Sequence, residues 1–230
     1  MDSESDTRSI SSGGPYVQSL HELEAIYGSP VPASLSKELG YISDHYRQMI
    51  EKSPFAIIAT VGGGGLDCSP RGDPPGFVRV ADEKTLLIPD RRGNNRLDTL
   101  RNLIEDPRAS LIFLIPGIGE TLRVNGSAVI SANADLRESF AINGKVPATV
   151  IEFRVERVYF QCQKALTRSR LWESESKIAR SELPSTGRFY RLFPVTLTGR
   201  HTIAITPRDL KRPFIEAWRV ACRRCIALTQ

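Results

Sequence analysis

Histidine, cysteine and long apolar runs are scarce in this 230-residue chain. Its longest apolar stretch, Leu111 to Pro116, is strand-sized, far short of the ~20 residues that a bilayer-crossing helix needs. The opening residues, MDSESDTRSISSGG, are polar and start on acidic side chains, without the basic start and apolar core of a secretory signal. The expectation is an intracellular, cytoplasmic protein with no membrane partner. The three histidines, His21, His45 and His201, are scattered, and no Ser-His-Asp or Cys-His set is evident, which argues against a hydrolase. Of the four cysteines, Cys68 and Cys162 are isolated, and Cys222 and Cys225 form a CxxC with no second pair or histidines at ligand spacing. Two thiols on one helical face are expected there, and no metal site. An internal repeat is also absent.

What the chain does have is arginine. The formal charge is +5, with arginines dense between Arg180 and Arg224. Such a balance can serve nucleic acid, but no aromatic-interleaved stacking motif accompanies it. A small phosphorylated ligand needs only three or four arginines. Hydrophobic residues at 40% and charged ones at 25% are ordinary for a globular chain, which excludes a disordered or fibrous one.

The periodicity places the elements. Residues 1–15 are Ser-, Gly- and Asp-rich and expected to be disordered. Val17, Leu20, Leu23 and Ile26 suggest a short helix; Leu35, Leu39, Ile42, Tyr46 and Met49 predict an amphipathic one, with Ser34 as N-cap and Pro54 past its end. The pattern then turns strand-like. Phe55 to Val61 reverses through four glycines into Leu66 to Ser69, and Phe77 to Val80 forms a hairpin with Thr85 to Ile88. A helix from Asn94 to Ile104 precedes strands at Ala109 to Ile115 and Thr121 to Ile130. A short helix (Leu136 to Ile142), a strand (Val150 to Tyr159) and a helix from Lys164 to about Arg180 follow. In the last strand Ile151, Phe153 and Val155 alternate with Glu152, Arg154 and Glu156, so one face is buried and the other wet. Short links and the lack of long βαβ crossovers favour a closed or half-closed antiparallel barrel, mainly β with peripheral helices. Residues 16–182 form the expected domain, and 183–230 an extension with one helical candidate, Phe214 to Leu228.

Three stretches carry chemistry. In Ser69-Pro70-Arg71-Gly72-Asp73-Pro74-Pro75-Gly76-Phe77, three prolines stiffen a loop around one cation and one anion. It suits either a ligand-facing rim or a rigid turn in which Arg71 pairs with Asp73. In Pro89-Asp90-Arg91-Arg92-Gly93-Asn94-Asn95-Arg96, three arginines within six residues repel one another unless an anion sits among them. Gly93 permits close backbone approach, Asn94 or Asn95 is a natural N-cap, and a helix N-terminus favours phosphate. Guanidinium forks add bidentate contacts. The alternative is a solvated basic turn. In the third stretch, Lys164, Arg168 and Trp172 fall at i, i+4 and i+8, a stripe that could cover an anionic aromatic ligand or leave Trp172 in the core.

Taken in order, SPRGDPPGF, LLIPDRRGNNRLDTLRNL, FLIPG-x-x-ETLRVNG and CQKALTRSRLW resemble a branch of the pyridoxamine 5′-phosphate oxidase-like, FMN-dependent flavoproteins. The likeness runs from about Leu20 to about Ser174. It implies a split-barrel fold, a homodimer, and FMN at the dimer interface held by both chains. By position, Pro89, Asp90, Arg91, Arg92, Asn95 and Arg96 match the phosphate-side region. Ser69 and Arg71 match the neighbouring strand's motif, and Lys164, Arg168 and Trp172 match the helix that reaches across the interface. Arg71 or Lys164 could serve the flavin's N1–C2 edge. Two features depart from the pattern. Gln161 stands where relatives often carry His, and Arg191-Leu192 and Arg200-His201 only faintly echo the family's substrate-binding ending. Oxidation of pyridoxamine phosphate is therefore not implied. The expected function is an FMN-dependent oxidoreductase of a small substrate. The alternatives are a flavin-binding module without turnover, for storage or sensing, and, ranked below both, a nucleic-acid binder using the basic tail.

Overall fold

The computed structural model describes residues 16–185 and 187–188. The expected disorder of residues 1–15, the helical candidate Phe214 to Leu228, the Cys222-Cys225 pair, Arg191-Leu192 and Arg200-His201 lie outside the described residues. Among the described residues no helix is long and apolar enough to cross a membrane.

Among the described residues seven strands carry the fold: β1 (Phe55–Gly62), β2 (Gly65–Gly72), β3 (Arg79–Asp82), β4 (Thr85–Asp90), β5 (Arg108–Leu114), β6 (Thr121–Ser131) and β7 (Thr149–Gln161). They form one antiparallel sheet in the order β2-β1-β5-β6-β7-β4-β3. Arg71 on β2 and Asp90 on β4, from the first and sixth strands of that order, nevertheless meet at 3.5 Å. The sheet is therefore rolled on itself: the mainly β antiparallel barrel with peripheral helices expected from the periodicity is what forms, in the split-barrel form that the resemblance implies.

The interior follows from alternation. Ala56, Ile58 and Thr60 of β1, Leu86 and Ile88 of β4, Leu111 and Phe113 of β5, and Leu122 and Val124 of β6 are buried. On β7, Ile151, Phe153 and Val155 are buried as expected, but the phase then slips and Val158 is the next buried residue. The slip is a bulge: Asn125 pairs with Arg157 and Gly126 with Val155, which leaves Glu156 as the extra residue. A Cβ at Gly126 would sit 1.9 Å from the Arg154 carbonyl oxygen, so only glycine lets the two strands pass.

The α-helices among the described residues are α1 (Leu20–Tyr27), α2 (Pro32–Ser36), α3 (Asp44–Lys52), α4 (Asp98–Glu105), α5 (Ala134–Glu138) and α6 (Lys164–Ser169). The single amphipathic helix predicted from Leu35 to Met49 is instead α2 and α3. Between them Leu39 exchanges backbone hydrogen bonds with Val158 (3.0 and 2.8 Å), an extended contact that helical geometry forbids. Ser43, not Ser34, caps the second piece, accepting from the Tyr46 N–H. Tyr46 and Ile50 of α3 close the core. The helix predicted at Leu136 to Ile142 is the earlier α5. That predicted from Lys164 to Arg180 stops at Ser169, because Arg170 turns left-handed (φ 55°).

α4 follows the loop that leaves β4. It packs on β1 and β2, where buried Asn102 donates to Thr60 Oγ1 (3.2 Å) and to the Gly65 carbonyl (3.4 Å). The chain divides into two compact units, Met1–Trp172 and Glu173–Gln230. In the second, the described residues contribute 3-10 turns at Ser174–Ser176 and Arg180–Glu182.

Candidate functional site

Period-two geometry puts Asp67, Ser69 and Arg71 on one face of β2. Opposite them β4 ends in Pro89 and Asp90, and the chain runs through Arg91 and the Gly93–Leu97 loop into the first turn of α4. Together these elements line a cavity of about 470 Å³. Loop residues Asp73 and Phe77 complete the wall, and Phe77 and Arg91 also line a smaller adjoining cavity of about 140 Å³.

Its charges pair across the barrel. Arg71 does not take Asp73, two positions away, but Asp90 at 3.5 Å; Asp73 is taken by Arg91 at 2.8 Å. The pattern follows from extended backbone, in which alternate side chains share a face while the loop after Gly72 turns away. Arg91 also donates from its NH1 to the carbonyl oxygens of Phe140 (2.9 Å) and Lys145 (3.5 Å), so it ties the segment after α5 to the cavity. Arg96 pairs with Asp98 in the first turn of α4 and is 79% exposed.

Among the described residues two buried side-chain polar atoms lack a hydrogen-bond partner, Arg71 Nε on the cavity and Thr149 Oγ1 outside its wall. The NH1 of Arg71 donates to the Pro70 carbonyl at 3.0 Å. Burial pushes the Asp90 carboxyl up from its ordinary range, and the Arg71 charge only partly offsets this. Asp67 goes the other way. Burial would raise it, but hydroxyl donors from Thr99 and Ser69, the Arg71 charge and the Cys68 backbone together hold it below the ordinary carboxylate value.

The loop is not capped as the sequence suggests. Asn94 and Asn95 lie ahead of α4, and the N-cap position belongs to Leu97, which is left-handed (φ 62°) and gives no side-chain cap. Asn94 Oδ1 instead accepts from the Arg96 N–H at 3.1 Å, an Asx-type turn, and Asn95 is left-handed too (φ 59°).

Of the residues singled out in the sequence, Ser69, Arg71, Pro89, Asp90, Arg91, Asn95 and Arg96 are brought together on the cavity. Arg92 is exposed and is not in its wall. Lys164, Arg168 and Trp172 are not there either. Because α6 ends at Ser169, these three do not form one helical stripe, and the Trp172 indole N–H donates to the Ile118 carbonyl at 2.8 Å. Asp67, Asp98 and Thr99 were not singled out, although the alternation Asp67-x-Ser69-x-Arg71 would have flagged the first.

A family model described as pyridoxamine 5′-phosphate oxidase matches residues 42–162. No curated protein matches the chain. Among solved structures, HupZ from Group A Streptococcus is similar at 20% identity, with 51% of this chain and 91% of that one covered and a TM-score of 0.43. A Lactobacillus delbrueckii protein provisionally named pyridoxamine 5′-phosphate oxidase shares 17% identity over 54% of this chain and 98% of its own, at a TM-score of 0.42. General Stress Protein 26 from Bacillus anthracis shares 14% identity over 49% and 88%, at 0.38.

Proposed function

The chain belongs to the pyridoxamine 5′-phosphate oxidase family, and on that premise we propose that it binds FMN in the cavity between β2, β4 and α4 and is an FMN-dependent oxidoreductase of a small substrate. The observation that carries the reading is the buried Arg71 Nε, a guanidinium N–H without an acceptor in a cavity of about 470 Å³. A buried donor without a partner is costly, and an anionic ligand supplies what is missing. The volume lies within the ~300–1,000 Å³ range of cofactor-sized sites.

The residues present fit such a group. Arg71 and the fork of exposed Arg96 would hold the phosphate beside the uncapped first turn of α4. Ser69 and Thr99 each donate their one hydroxyl proton to Asp67, which leaves their lone pairs for ligand hydroxyls. Arg91, held by Asp73 and by two carbonyls, shapes the wall more than it binds. The flavin, when bound, supplies the redox chemistry; the chain positions it and sets the charge around it.

Arg92 is exposed between wall residues Arg91 and Gly93 and would reach the phosphate from the same loop, whereas Lys164, Arg168 and Trp172 are not in the wall and would complete a second protomer's site in a homodimer. The test is the absorbance spectrum of the purified protein, FMN addition, and anaerobic reduction with candidate donors. Bound flavin that a donor reduces supports the enzyme. Flavin that binds but is never reduced favours a storage or sensing protein, and colourless protein that takes up no FMN overturns the reading.

A further inference from the structure

Resting on the flavin reading above, we propose that Asp90 is an internal competitor for Arg71, occupying the place of the ligand's anion and so setting how strongly the cavity prefers phosphorylated to unphosphorylated flavin. The pairing of the two is incomplete. Their one close contact is 3.5 Å, longer than the ~2.7–2.9 Å of a charge-assisted hydrogen bond, and Arg71 keeps its Nε unpartnered. Both side chains are largely buried, at 19% exposure for Arg71 and 14% for Asp90, so neither charge is relieved by water. A phosphate that engages Arg71 more closely leaves Asp90 without a counter-charge.

The neighbouring cations Arg91, Arg96 and Arg79 are engaged elsewhere, and Arg92 is exposed to solvent. Arg91, next in sequence, is held by Asp73 and by the Phe140 carbonyl. Arg96 is held by Asp98, and Arg79 of neighbouring β3 by Ser139 and the Phe140 ring. β7 sets uncharged Thr149 opposite Asp90, and on β2 the remaining charged neighbour is Asp67, another anion. The carboxylate that loses Arg71 therefore takes one proton from solvent, in keeping with burial already raising it in the free protein. Binding of the phosphate is linked to that uptake, so ionisation of Asp90 weakens affinity as pH rises through the raised carboxylate range. The phosphate's own second ionisation, at about pH 6, acts the other way and cancels between wild type and Asp90→Asn.

Titrations of FMN and riboflavin into wild-type protein and Asp90→Asn, followed by flavin fluorescence at pH 5.5 and pH 8, test this. The expected result is FMN binding roughly tenfold tighter in Asp90→Asn at pH 8, a smaller gain at pH 5.5, and riboflavin affinity unchanged within about twofold. FMN affinity in Asp90→Asn that equals or falls below wild type overturns the proposal. Calorimetry of the wild-type protein at pH 7, in two buffers of different ionisation enthalpy, decides it should the variant misfold. More protons taken up with FMN than with riboflavin supports it, and equal uptake overturns it. Wild-type protein that binds neither flavin overturns the flavin reading itself, whereas binding indifferent to Asp90 overturns this inference alone.

Discussion

The guanidinium of Arg91 meets the carboxylate of Asp73 at 2.8 Å, joining the end of β4 to the loop that leaves β2. The same side chain reaches the carbonyls of Phe140 and Lys145, so one residue holds three separate segments in register. Truncation leaves a partly buried carboxylate and a carbonyl unanswered together. Arg91→Ala is expected to lower stability by about 2 kcal/mol, read as a reduced urea midpoint at unchanged slope. A midpoint equal to wild type would show that the three contacts are incidental.

Arg71 tests the proposed flavin site directly. Replacing it with Gln keeps much of the side chain's length and removes the charge and the forked donors. Arg71→Gln is expected to weaken FMN binding by roughly 10- to 100-fold while riboflavin loses little, because the missing interaction belongs to the phosphate. An equal loss for both flavins would move the phosphate elsewhere in the cavity.

The bulge between β6 and β7 makes a sharper structural prediction. A methyl group at Gly126 would lie 1.9 Å from the Arg154 carbonyl oxygen, which is backbone and cannot swing aside. Gly126→Ala must force β6 and β7 apart at the centre of the sheet, at a cost of about 3 kcal/mol or more by chemical denaturation. An unchanged denaturation curve would mean that the strands do not approach so closely.

Much of this was legible in the chain, and the failures have physical causes. Alternation over Ile151 to Val155 identified the buried face of β7 because an antiparallel strand with one wet side writes its period into the sequence. The helix drawn through Leu35 to Met49 failed because Leu39 also fits a strand bridge, and its partner Val158 lies more than a hundred residues away. The third stretch misled similarly. Lys164, Arg168 and Trp172 have helical spacing, but Arg170 leaves the helix and no local residue type announces it. At the site, the arginines after Pro89 were visible and their partners were not: sequence proximity suggested Arg71 with Asp73, whereas the rolled sheet brings Asp90 to Arg71.

Acid should act through Asp67. Its folded carboxyl is held below the ordinary value, so its contribution to stability is present above the unfolded carboxylate pKa and is lost as pH falls through the lower, folded one. Asp67→Asn is expected to melt lower than wild type at neutral pH, and the two curves should converge in acid as the wild-type carboxylate protonates. Thermal melts from pH 7 down to pH 2.5 check this. A gap that persists unchanged at the acid end would assign the effect to packing against Thr99 instead of to charge.

The last prediction concerns the residues that the cavity does not contain. Lys164, Arg168 and Trp172 sit on and after α6, away from the walls formed by β2, β4 and α4 of their own chain. If they serve FMN, they serve the partner's, and a symmetric dimer then carries two sites that each draw on both chains. Arg71→Gln damages the cavity and Arg168→Ala damages the reaching segment, so each homodimer is weak at both of its sites. In a mixed dimer of the two variants, one site inherits both defects. The other pairs an intact cavity with an intact segment. Mixed dimers, prepared by co-expression with two affinity tags, are therefore expected to bind FMN at wild-type affinity in about half of their sites. Sites that all stay weak would place Arg168 in its own chain's structure and not across the interface.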